Sequence, residues 1–120
     1  MEKRILIVDD DPNIADYLEA LFKDNGYGTT IANNAKEGLE AARKQTPDLV
    51  TLDIEMPGDW GPRFYRHMTQ DSKLKNIPVI VISGLSGNAY AVPKAVASLK
   101  KPFDREELLG IVKETIGKAN

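Results

Sequence analysis

The stretch Leu49-Val50-Thr51-Leu52-Asp53 decides the fold. An apolar run broken by a single hydroxyl reads as a strand buried on both faces, as in a parallel sheet, and it ends on a lone carboxylate. Ile5-Leu6-Ile7-Val8 does the same and ends in Asp9, Asp10 and Asp11. Val79-Ile80-Val81-Ile82 ends in the hydroxyl of Ser83, and a weaker fourth run reaches Lys100, Lys101 and Pro102. Four apolar segments that each close on a polar group raise the question of whether those groups meet.

Working outward, Asp11-Pro12 reads as an N-cap with Pro at the first helical position. The helix it starts runs to about Asn25, with Ile14, Leu18, Leu21 and Phe22 on one face, and Asn25-Gly26 closes it. The residues from Gly28 to Ala32 alternate weakly, which predicts an edge or near-edge strand. Asn34 with Glu37 resembles a capping box for a second helix that reaches about Gln45 and buries Ala35, Leu39 and Ala42. After Asp53, Met56-Pro57-Gly58-Asp59-Trp60-Gly61-Pro62 reads as a loop. A third helix is expected from near Pro62 to Asp71 or Leu74, with Phe64, Met68 and Tyr65 facing inward. The glycines and Pro93 between Gly84 and Val96 leave room for only a short fourth helix. A last strand occupies about Ala97 to Lys100, and Asp104 with Glu107 caps a final helix that buries Leu108, Val112 and Ile116. Strand and helix thus alternate five times, which implies parallel pairing and a doubly wound α/β sandwich over residues 1–120. Such sheets bind ligands beyond the carboxyl ends of their strands, where every polar terminator lies.

The bulk properties agree with one domain. The chain has 120 residues, 42% apolar residues and a formal net charge of −2 with both signs mixed; single domains hold about 100–150 residues. That balance argues against bulk binding to nucleic acid or an anionic membrane. The absence of cysteine excludes disulfides, zinc thiolates and Cys nucleophiles. No stretch approaches the roughly 20 apolar residues of a membrane span. No basic-then-apolar leader precedes the first strand, so a cytoplasmic protein is expected.

If the strand ends converge, Asp9, Asp10 and Asp53 bring three carboxylates together, and like charges that close oppose each other's ionisation. A bound cation removes the conflict, and an all-oxygen set without His or Cys suits Mg²⁺ or Mn²⁺. Asp53 is then available as a nucleophile towards a phosphoryl group, giving an acyl phosphate. Lys101 and the Ser83 hydroxyl are placed to serve the phosphoryl oxygens.

Asp9-Asp10, Asp53, Ser83 and Lys101-Pro102-Phe103, in this order and with Met56-Pro57 and Gly61 after Asp53, resemble the receiver domain of bacterial two-component response regulators, including its chemotaxis-type single-domain members. The resemblance covers essentially the whole chain. It implies a flavodoxin-like three-layer sandwich with strand order 2-1-3-4-5. It implies that Asp53 accepts a phosphoryl group from a phosphohistidine on a sensor histidine kinase, in a Mg²⁺-dependent reaction. Asp10 is implied as a direct Mg²⁺ ligand, Asp9 as a ligand through water, and the backbone carbonyl of Glu55 as a further one. Ser83 and Lys101 are implied to bind the phosphoryl oxygens. Such a domain is a phosphorelay switch rather than an ordinary enzyme, although it catalyses its own phosphorylation and dephosphorylation. It signals to a downstream protein target or an output domain.

Three positions depart from the family pattern. Ser98 stands where an aromatic commonly precedes the lysine by three, with Tyr90 as a candidate substitute. Lys101 follows Ser83 by only 18 positions, which again predicts a short or irregular fourth helix. Trp60 replaces an acidic residue before Gly61, as a lid or a docking residue. Among the blander readings, Asp11 is a cap rather than a ligand, His67 is an exposed bystander, and the Glu55 side chain faces solvent while its backbone carries the role. Two other functions compete with the switch: a phosphorylation-independent interaction module, and an aspartyl phosphatase, whose usual Asp-x-Asp-Thr or Asp-x-Asp-Val pattern is not matched by Asp9-Asp10-Asp11-Pro12. A dinucleotide or flavin site is disfavoured because no Gly-rich loop follows the first strand. No output domain follows Lys118, so the chain is expected to act alone or to be excised from a longer one.

Overall fold

The computed structural model describes residues 2–55, 60–84 and 95–119. Its elements in order are β1 (Arg4–Val8), α1 (Pro12–Asp24), β2 (Gly28–Ala32), α2 (Ala35–Lys44), β3 (Leu49–Leu52), α3 (Trp60–Gln70), β4 (Val79–Ser83), β5 (Ala97–Lys100) and α4 (Arg105–Ile116). The strands form one sheet in the order β2-β1-β3-β4-β5, and every neighbouring pair is parallel. β2 is therefore an edge strand, as its weak alternation implied. The expected short fourth helix, with Tyr90 and Pro93, lies outside the described residues, as do Met56, Pro57 and the side chain of Trp60.

The continuous apolar strands are explained by two cores, one on each face of the sheet. Alternate side chains of a strand point to opposite faces. Ile5, Ile7, Leu49, Ile80, Ile82 and Leu99 pack against Leu18 and Phe22 of α1 and Leu108 and Val112 of α4. Leu6, Val8, Val50, Leu52, Val79 and Val81 pack against Ala35 and Ala42 of α2 and Phe64 and Met68 of α3. Burial of this kind is what holds the layers together; replacing a fully buried Phe such as Phe22 or Phe64 by Ala costs about 3–5 kcal/mol.

Local signals set the helix ends. Asp11 Oδ1 accepts from Asn13 N at 2.9 Å, so Asp11 is the cap of α1. Gly26, with φ of +89°, follows the end of α1, in the left-handed region that glycine adopts without strain. Asn34 Oδ1 accepts from Glu37 N, but the return bond differs from the expected box: Glu37 Oε1 accepts from Asn33 N, one residue before the cap. Asp104 caps α4 by accepting from Glu106 N. α3 begins at Trp60, two residues earlier than Pro62, and ends at Gln70. His67 is exposed on it.

Candidate phosphoryl-acceptor site

Strand periodicity brings the chemistry to one place. Asp9 continues the row Ile5, Ile7 of β1, Asp53 continues the row Leu49, Thr51 of β3, and Lys101 continues the row Ala97, Leu99 of β5, and Ile5, Ile7, Leu49 and Leu99 all face the α1–α4 core. The ladder extends one step past the strands to hold these residues: Asp53 N donates to Val8 O at 2.9 Å, and Lys101 N donates to Ser83 O at 2.9 Å. Ser83 itself closes β4, paired with Lys100.

The side chains meet. Asp9, Asp10 and Asp53 each offer a carboxylate oxygen within 4.8 Å of the others. Asp9 and Asp53 are buried, at 2% and 3% exposure, whereas Asp10 is exposed. Lys101 Nζ lies 3.4 Å from Asp9 Oδ2 and 3.6 Å from Asp53 Oδ2. Asp9 Oδ1 accepts from Asp11 N, and Asp53 Oδ1 accepts from Glu55 N at 2.8 Å. Asp11 does not join the cluster.

Electrostatics follow from this packing. Burial pushes the Asp53 carboxyl up from 3.8 to about 6; the Glu55 amide and the Lys101 ammonium pull it down, and the Asp9 charge pushes it further up. Burial alone would lower Lys101, but the Asp9 and Asp53 carboxylates outweigh it and its pKa is raised. Three carboxylates against one ammonium leave an excess of negative charge on oxygen donors alone, a donor set that fits a hard divalent cation such as Mg²⁺.

Glu55 departs from expectation. Its residue is exposed, yet its carboxylate is tethered: Oε1 accepts from Ser83 Oγ at 2.7 Å and from Gly84 N. Nothing in the sequence pattern marks this contact. It arises because β3 and β4 are neighbours, so a long acidic side chain two residues beyond Asp53 reaches the end of β4. Ser98 is exposed on β5, opposite Val81.

No helix among the described residues is long and apolar enough to cross a membrane. The family model described as the response regulator receiver domain matches residues 5–113. Protein Rrf1 of Nitratidesulfovibrio vulgaris is 40% identical over 112 residues, covering 93% of this chain and 81% of that one. Protein PilH of Pseudomonas aeruginosa is 37% identical, covering 88% and 91%. The solved receiver domain of sensor histidine kinase PA1611 from P. aeruginosa, with a magnesium ion coordinated in its active site cleft, superimposes with a TM-score of 0.87 at 25% identity and covers 98% of this chain and 100% of that one. With the parallel 2-1-3-4-5 sheet and the acidic cluster at its carboxyl edge, these matches identify the chain as a member of the response regulator receiver domain family.

Proposed function

We propose that this chain, taken as one receiver domain over residues 1–120, is a phosphorelay switch in which Asp53 accepts a phosphoryl group from a phosphohistidine of a sensor histidine kinase. The observation that carries this reading is the placement of Asp53: buried, 3.6 Å from the Lys101 ammonium, and within reach of Asp9 and Asp10. In the transfer, an Asp53 carboxylate oxygen forms a bond to phosphorus as the phosphorus–nitrogen bond to imidazole breaks, and the departing nitrogen takes a proton. Lys101 offsets charge on the phosphoryl oxygens, and the Ser83 hydroxyl donates to one of them. Asp9, Asp10, Asp53 and the backbone carbonyl of Glu55 would hold Mg²⁺. Bound there, Mg²⁺ would supply positive charge that offsets the ionised carboxylates and the phosphoryl oxygens. Phosphorylation then shifts the population between two conformations and so changes binding to a downstream protein or output domain.

The test is incubation with a small phosphodonor and Mg²⁺, followed by intact mass. One added phosphoryl group, absent from Asp53→Asn, is expected. No addition, or addition that survives Asp53→Asn, overturns the proposal. The exposed Ser98 favours one alternative, a phosphorylation-independent interaction module; equal partner binding by both forms would establish it.

A further inference from the structure

Ser83 Oγ and Gly84 N converge on a single oxygen, Glu55 Oε1. Two donors aimed at one point form a seat for an oxyanion, and a phosphoryl oxygen is an acceptor of the same kind as a carboxylate oxygen. Gly84 makes the close approach possible, since a Cβ at this position would come within 2.8 Å of Glu55 Oε1. The Glu55 charge also acts on Lys101, the cation that faces Asp53. Glu55 N, meanwhile, donates to Asp53 Oδ1, so the same residue touches the acceptor with its backbone and the neighbouring donors with its side chain.

We propose that the Glu55 carboxylate is an intramolecular stand-in for a phosphoryl oxygen: it occupies the Ser83–Gly84 seat in the unmodified protein and must be displaced when Asp53 is phosphorylated. Glu55 is thus a positioning residue that holds the site closed to anions, and its release moves a carboxylate off the Ser83–Gly84 donors. This rests on Asp53 as the phosphoryl acceptor.

The experiment uses the full chain with Mg²⁺ and beryllium trifluoride, a non-covalent phosphoryl mimic, in wild type, Glu55→Ala and Glu55→Asp. Affinity is measured by titration, and the Gly84 amide shift is followed by NMR before the mimic is added. Glu55→Asp keeps the charge on a side chain one methylene too short to reach both donors. Both variants are expected to bind the mimic about tenfold more tightly than wild type, because no charged hydrogen-bond acceptor has to be displaced. Both are expected to move the Gly84 amide in the unliganded protein. If Glu55→Ala tightens binding but Glu55→Asp matches wild type, charge repulsion alone is at work and the stand-in is overturned. An unmoved Gly84 amide, or unchanged affinity in both variants, overturns it as well. If all three proteins fail to bind the mimic and wild type gains no phosphoryl group, the Asp53 acceptor reading falls, and this proposal falls with it.

Discussion

Lys101 Nζ stands 3.6 Å from Asp53 Oδ2 while also lying 3.4 Å from Asp9 Oδ2. One ammonium therefore offsets two buried carboxylates, and its removal leaves both without that opposing charge. Lys101→Met is expected to lower stability at pH 8 by about 2–3 kcal/mol in urea titrations without metal. The loss should shrink near pH 5, where Asp53, with its pKa pushed up to about 6, takes up a proton. Adding Asp53→Asn to Lys101→Met should recover most of the loss. Equal destabilisation at both pH values would point to lost packing of the lysine stem instead.

The same burial makes Asp53 a group that opposes folding when ionised. Its folded pKa, about 6, lies above its ordinary 3.8. The folded state therefore binds the proton more tightly, and the stability that the neutral carboxyl contributes is complete below about pH 4 and is lost as pH rises through 6. In chelator, Asp53→Asn should match wild type near pH 4 and exceed it by about 2–3 kcal/mol above pH 7. Paired urea titrations across that range measure the difference, and a pH-independent difference would contradict the mechanism.

Asp10 and Asp11 are adjacent and both exposed, but only Asp10 joins the carboxylate cluster, while Asp11 caps α1. Mg²⁺ at 100 times its dissociation constant should stabilise wild type by about 2.7 kcal/mol. Asp10→Ala should abolish most of that gain. Asp11→Ala should lower basal stability by about 1 kcal/mol through the lost cap and keep the Mg²⁺ response. Thermal melts with and without Mg²⁺ separate the two, and a lost response in Asp11→Ala would put Asp11 among the ligands.

The strands, their order of burial and the terminal polar groups were legible because a two-residue period fixes which face each side chain takes. Asp9, Asp53 and Lys101 could be placed together from that period and a parallel topology. The same period accounts for the burial difference within the acidic pair, since Asp9 continues the inward row of β1 and Asp10 does not. The Glu55 contact was hidden. It depends on the rotamers of a long side chain crossing from one strand end to the next, and no periodicity encodes that.

Gly61 sits at the start of α3 against the chain that follows Asp53. A Cβ there would lie 2.4 Å from Ile54 Cα and 3.0 Å from Asp53 O, both in the segment that carries Asp53. Because the obstructing atoms include backbone, relief requires α3 or the Asp53–Ile54 segment to move. Gly61→Ala is expected to destabilise by about 1–3 kcal/mol, as overpacking does, and to slow phosphoryl uptake at Asp53 as well. Stability unchanged within about 0.5 kcal/mol would show that α3 shifts freely, contrary to close packing.

Thr51 lies two residues before Asp53 in the same inward row, and its Oγ1 is buried without a hydrogen-bond partner among the described residues. An unpaired buried hydroxyl loses its hydration with no return. Val has nearly the same shape and no polar atom, and its β-branched form suits a central strand. Thr51→Val should therefore raise stability by about 1 kcal/mol in urea titrations, with the slope of the transition unchanged because the folded state is as compact as before. A loss of stability instead would mean that the hydroxyl binds an ordered water beneath the acidic cluster, which makes the floor of the site polar rather than dry.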